Sequence, residues 1–153
     1  MLIGIDPGMT GAIALLDGDQ ALLVDDLPAA DSGRSKSLCA PLLADLMRNY
    51  IEQAGERPTV VLERVAARPG QGVSSMFSFG RSYGIIEGVV GSLGLPLSRV
   101  TPQSWKRKAK LLGKEKDASR ALAIELFPEI ANRLSRKKDC GRADAILIAF
   151  YGL

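Results

Sequence analysis

Leu2-Ile3-Gly4-Ile5-Asp6-Pro7-Gly8-Met9-Thr10-Gly11 is a short apolar run that ends on a carboxylate and passes into a Gly/Pro turn. A second apolar run, Ala12 to Leu16, follows at once, so the segment reads as two strands joined tightly, with Asp6 displayed where the first one stops. The β-branched run Thr59 to Leu62 ends the same way, on Glu63. Asp139 and Asp144 lie near the C-terminus, and the chain contains no histidine. Acids at the edges of apolar elements, without imidazole, are the donor set of a hard cation, which takes oxygen ligands. For any one acid alone, a turn or capping role is the ordinary alternative.

Working outward, Asp17-Gly18-Asp19 is a hairpin signal and Ala21 to Val24 a third strand, giving an antiparallel meander. Pro28 to Ser37 is small and polar and is expected to be a loop. Leu38, Leu42, Leu43, Leu46, Met47, Tyr50 and Ile51 recur at helical spacing up to Gly55. After the strand that ends on Glu63, Arg64 to Val73 reads as a loop bordering the acid, and Ser74 to Leu93 as a helix. Gly80, Gly84, Gly88 and Gly91 thin one side of that helix; packing within the chain and a subunit interface both explain them. Leu97 to Val100 is a fifth strand, Thr101-Pro102 opens a helical piece with proline just inside its start, and helices over Asp117 to Leu126 and about Ala143 to Tyr151 complete the pattern. Alternating strands and helices specify an α/β fold, one domain over 1–153, in which functional groups collect at strand ends.

At 153 residues and 46% apolar composition, the chain can bury one core. The N-terminal apolar run has no basic leader, and no run approaches the roughly 20 residues of a membrane span, so a cytoplasmic protein is expected. Cys39 and Cys140 lack zinc spacing and read as reduced thiols. The net charge is only +3, but Arg99 to Arg142 holds 13 Lys/Arg against 5 Asp/Glu, whereas Met1 to Ser98 holds 7 against 11. A basic segment beside acids favours a polyanionic partner; a solvated helical face is the alternative.

Without histidine, serine–histidine and cysteine–histidine mechanisms are excluded. Metal-activated water remains: two Mg²⁺ ions roughly 3.5–4 Å apart can lower the pKa of bound water, neutralise a scissile phosphate and stabilise the departing 3′ oxygen. Asp144 begins an apolar helix, where capping is one role. Burying a lone carboxylate there is costly without a cation or hydrogen bonds, which points to a ligand.

Ile3-Gly-Ile-Asp6-Pro-Gly-x-Thr-Gly11, Val61-Leu-Glu63, Thr101-Pro-x-x-Trp-Lys106 and Ala143-Asp144-Ala-Ile-Leu-Ile-Ala149 together resemble RuvC-type Holliday-junction resolvases of the ribonuclease H-like superfamily. The likeness spans nearly the whole chain in the correct order, and Pro69 to Arg81 looks like the phage-borne branch, for which the location would be the host cell cytoplasm. The resemblance implies a five-stranded mixed sheet flanked by helices. It also implies a homodimer that resolves four-way junctions by paired, metal-dependent hydrolysis of phosphodiesters in opposed strands, with Mg²⁺ as cofactor and Mn²⁺ as substitute. Asp6, Glu63 and Asp144 match the family's metal-binding acids, and Lys106 and Lys116 match basic residues near the scissile phosphate. Arg64, Arg68, Ser75, Phe77, Arg81 and Lys108 complete the expected DNA-binding set.

The chain departs from the family's pattern in two places. The usual fourth ligand, three residues before the last acid, is Gly141 here, and Asp139 is the nearest substitute. It has to sit at or before the helix start and reach inward. The aromatic wedge of the cellular enzymes, three residues after the second acid, is replaced by Ala66, leaving Phe77 and Phe79 as candidates to stack at the junction opening. Two other readings are a branched-DNA-binding module with weakened catalysis and an actin- or sugar-kinase-like ATPase fragment. The second suits the first turn, but such ATPases need two domains of this kind.

Overall fold

A computed structural model describes residues 1–8, 10–31, 36–66, 70 and 72–153. Strands β1 (Leu2–Asp6), β2 (Ala12–Asp17), β3 (Gln20–Asp26), β6 (Thr59–Glu63) and β7 (Leu97–Val100) form one sheet in the order β3-β2-β1-β6-β7. The meander β1-β2-β3 is antiparallel, and β6 and β7 run parallel to β1. This five-stranded mixed sheet is the one expected. The segment expected as a loop instead carries a two-stranded antiparallel ribbon, β4 (Ala29–Asp31) with β5 (Lys36–Leu38). Its strands have only three residues each, too few to show the alternation by which a strand is recognised in sequence.

Side chains alternate across the sheet, and that alternation divides the core into two layers. Ile3, Ile5, Ile13, Leu15, Val60 and Leu62 face helices α1 (Ala40–Ala54) and α2 (Val73–Ser92). Ala12, Ala14, Leu16 and Val61 face α3 (Pro102–Lys108), α4 (Ala118–Leu126) and α5 (Cys140–Tyr151). Helix α5 is apolar around nearly its whole circumference, because it is buried between the sheet and α4. It lies directly on the strand at Gly4, where a Cβ would stand 2.0 Å from the Ala145 carbonyl oxygen. Only glycine allows that approach.

Asp6 has the parity of Gly4, and Glu63 that of Val61, so both acids emerge on the α3/α5 face. Ile5 pairs with Leu62 across the parallel strands, which brings Asp6 and Glu63 out at the same sheet end. Two short 3-10 segments, Pro128–Leu134 and Lys137–Asp139, lead into α5, which starts three residues before the expected Ala143. Among the described residues, no helix is long and apolar enough to cross a membrane.

Candidate active site

Asp6 ends β1 beside a turn in which the Gly8 backbone N–H donates to its Oδ1 at 3.0 Å. Burial pushes its pKa up to about 7, reinforced by the negative charges of Glu63 and Asp144 and opposed by the Gly8 N–H and the Lys106 ammonium. Glu63 accepts a hydrogen bond from the indole Nε1 of Trp105 at 2.8 Å. That tryptophan is fully buried in α3, a helix capped by the Thr101 hydroxyl and begun by Pro102. Asp144 lies in the first turns of α5, and its Oδ1 is buried with no hydrogen-bond partner. Burial raises its pKa, while the Ser119 hydroxyl, Lys106 and Lys116 pull it down.

Glu63, Lys106 and Asp144 line an open cleft of about 520 Å³ together with Arg64, Val65, Ala66, Phe79, Thr101, Pro102 and Gln103. An acid whose proton affinity is raised by two neighbouring acids, beside a carboxylate with one buried oxygen that has no hydrogen-bond partner, fits a hard divalent cation by the chemistry of the donors. Among the described residues, no three His, Cys, Asp or Glu side chains stand close enough to enclose one ion.

No protein-family model matches the chain. The structure superposes on T. thermophilus RuvC in complex with a Holliday junction substrate with a TM-score of 0.67 and 15% sequence identity, covering 98% of this chain and 90% of that one. A second Thermus thermophilus RuvC structure matches with a TM-score of 0.61 and 17% identity, over 99% and 94% of the two chains. The chain has the ribonuclease H-like fold of RuvC. In sequence, it is 40% identical over 86 residues to the Holliday junction resolvase MOC1, chloroplastic, of Chlamydomonas reinhardtii. The match takes in 56% of this chain and 10% of that relative's length.

On this RuvC fold, Glu63, Asp144 and Lys106 act electrostatically on Asp6, and Lys106 and Lys116 act on Asp144. Asp139 is placed elsewhere. It is 3% exposed, takes two guanidinium nitrogens and the backbone N–H of Arg136, and closes a reciprocal capping box there. Its charged neighbours also include Arg142, at 4.0 Å, Arg120 and Asp26. The carboxylate sits at the helix start as expected but turns to these arginines instead of reaching inward to Asp6, because its spacing from Asp144 puts it on another side of α5.

Of the expected DNA contacts, Arg64 lines the cleft, while Ser75, Phe77 and Arg81 lie on the exposed side of α2, with Phe77 at 75% exposure. Phe79 is half-buried in the cleft wall. Lys108 is turned to the C-terminus, where its Nζ donates to the Leu153 carbonyl at 2.5 Å. Arg68 lies outside the described residues. Trp105 and Ser119 were not singled out by the sequence. The indole was visible only as part of the Thr-Pro-x-x-Trp-Lys motif, and nothing in the residues near Ser119 tied it to Asp144.

Proposed function

We propose that the chain is a structure-selective endodeoxyribonuclease that resolves four-way DNA junctions by metal-dependent hydrolysis. The observation that carries this reading is the convergence of Asp6, Glu63 and Asp144 from two adjacent parallel strand ends and a crossing helix onto one face, with Lys106 and Lys116 close by. The likeness to a junction-bound RuvC and to a named junction resolvase points the same way. The two alternative readings gain no support: Glu63 and Asp144 line one cleft and both act on Asp6 electrostatically, and the chain superposes over nearly its full length on a single RuvC domain.

Asp6, Glu63 and Asp144 would hold the metal, and two Mg²⁺ ions would fit a site of this type, Mn²⁺ substituting. When bound, such ions activate water and offset charge on the leaving 3′ oxygen. Lys106 places its ammonium beside the acids, where it attracts the scissile phosphate and lowers the cost of crowding the carboxylates. Arg64, Lys106 and Lys116 supply phosphate contacts around the cleft, and Phe77 or Phe79 stacks on a base freed at the branch point.

Two cuts in opposed strands require two such sites. The exposed side of α2 would be a symmetric contact: among the described residues, a Cβ at Gly80, Gly84, Gly88 or Gly91 would meet nothing within 4 Å, so packing against them does not account for these glycines. A second copy packed there would make the homodimer. The decisive experiment incubates a four-way junction, a nicked duplex and a linear duplex with the protein and Mg²⁺. The reading requires paired nicks in the junction alone, and their loss in Asp6→Asn with junction binding retained. Cleavage unaffected by Asp6→Asn would sink it.

A further inference from the structure

Trp105 is the chain's single tryptophan and is fully buried, yet it stands between two groups of the proposed reaction centre. Its indole Nε1–H donates to Glu63 Oε1 at 2.8 Å, and the Lys106 Nζ lies 5.2 Å from its ring centroid. An indole N–H is a donor with no acceptor function, so a buried one needs a polar partner, and here the partner is an acid that ends a strand. The ring face is also the most favourable aromatic surface for an ammonium.

Three further observations make the arrangement rigid. Helix α3 is fixed at its start by the Thr101 hydroxyl, which accepts from the Ser104 N–H at 3.2 Å, and by Pro102. The ring is fully buried in the α5-side core layer, which also holds Val61, Val100, Phe127 and Ala145, so the indole cannot swing out to solvent. Glu63 is held at the other end by its strand, where it pairs with Val100 of β7.

We propose that Trp105 is a positioning residue: one buried indole fixes the carboxylate of Glu63 through its N–H and supports the Lys106 ammonium on its face, setting the acid and the cation at a constant separation. This inference rests on the nuclease reading of the same cleft. A carboxylate held by a neutral donor keeps its full charge for a divalent cation and loses rotational freedom before the cation arrives. Hydrogen-bond partners of ligating groups characteristically govern metal affinity in this way.

The test uses the full chain, with Trp105→Phe to remove the donor. A second variant replaces the lone tryptophan biosynthetically by 3-benzothienylalanine, which puts sulfur in place of the N–H and keeps the ring shape. Mn²⁺ binding without DNA is measured by calorimetry, alongside the Mg²⁺ concentration giving half-maximal junction cleavage, thermal unfolding, and junction affinity in EDTA. We expect Mn²⁺ affinity to fall about 10-fold or more and the Mg²⁺ midpoint to rise by the same factor, with junction affinity in EDTA unchanged. A purely structural role would lower the unfolding temperature and leave both metal readouts where they were. If Trp105→Phe fails to fold, the benzothienyl protein decides, and wild-type Mn²⁺ affinity in it overturns the proposal. If the wild-type protein binds Mn²⁺ but cuts no junction, the nuclease reading fails, whereas the metal-affinity comparison still decides the role of Trp105. A wild-type protein that binds no Mn²⁺ overturns both.

Discussion

Gly141 lies against Thr10 so closely that a Cβ on it would stand 2.1 Å from the Thr10 carbonyl oxygen and 3.4 Å from Asp6 Oδ2. The start of α5 is therefore pressed onto the turn that follows Asp6, and no side chain fits at this point. The position at which the resemblance to the RuvC family leads one to expect a fourth ligand is filled here by contact with the Thr10 backbone.

Restoring the acid should accordingly harm the protein. Gly141→Asp and Gly141→Ala both force the Thr10 turn to move, at a cost of about 2 kcal/mol or more. For a domain of this size that is a drop of roughly 5 °C or more in unfolding temperature. Calorimetry should find no gain in Mn²⁺ affinity for Gly141→Asp.

The two acids flanking Gly141 should separate cleanly. Asp144→Asn is expected to abolish junction cleavage while retaining the fold, since it removes charge from a crowded site and leaves the amide able to bond Ser119. Asp139→Asn should instead lower stability at neutral pH, because it breaks the ion pair between this buried carboxylate and the half-exposed guanidinium of Arg136. The Arg136 guanidinium holds the Asp139 pKa below its usual value. Its contribution is thus present above about pH 3.9 and lost as pH falls through the lowered value. Denaturant melts of Asp139→Asn and wild type should converge in strong acid and diverge at pH 7.

Asp6 behaves in the opposite sense. Its pKa is raised to about 7 in the folded chain against about 3.9 unfolded. The stability associated with its protonated form is full below about pH 4 and lost as pH rises through 7. Metal-free Asp6→Asn should therefore match wild type at pH 4 and exceed it at pH 8, by up to about 4 kcal/mol for a shift of roughly three pKa units. Added Mg²⁺ should stabilise wild type at pH 8 and do little for the variant, since ions that bind only the folded state shift unfolding by mass action. Melts across pH 4–8 with and without Mg²⁺ check both statements.

Lys106 and Lys116 should differ in kind. Lys116 is exposed, so Lys116→Met should weaken junction binding and reduce the slope of log affinity against log salt by about 1. Lys106 interacts with both Asp6 and Asp144. Lys106→Met should therefore cut the cleavage rate at saturating DNA by about 100-fold or more, in the range seen when one charge-stabilising group is removed. Binding titrations at several salt concentrations and single-turnover cleavage distinguish the two.

Much of this was legible from residues alone. Apolar runs ending on Asp6 and Glu63 marked those strands, and the Asp17-Gly18-Asp19 turn marked the antiparallel meander, while the mixed five-stranded sheet was implied by the resemblance and the parallel pairing of β1 with β6 came from the structure. The apolar continuity of Ala143–Ala149 marked α5 as a buried helix. Local pattern suffices there because each strand or helix must bury one periodic face. The ribbon β4-β5 escaped because its strands are too short to show a period.

The roles of Asp139, Gly141, Trp105 and Ser119 were decided only by the tertiary structure. Sequence spacing places an acid near a helix start but does not say whether its carboxylate turns to a metal cleft or to Arg136, which depends on the side of α5 it occupies and on what is packed against that side. Gly141 is a missing ligand in sequence and a steric contact with Thr10 in space. The bond between Trp105 and Glu63 joins residues 42 positions apart, brought together by packing α3 against the sheet, and no periodicity along the chain encodes such a meeting.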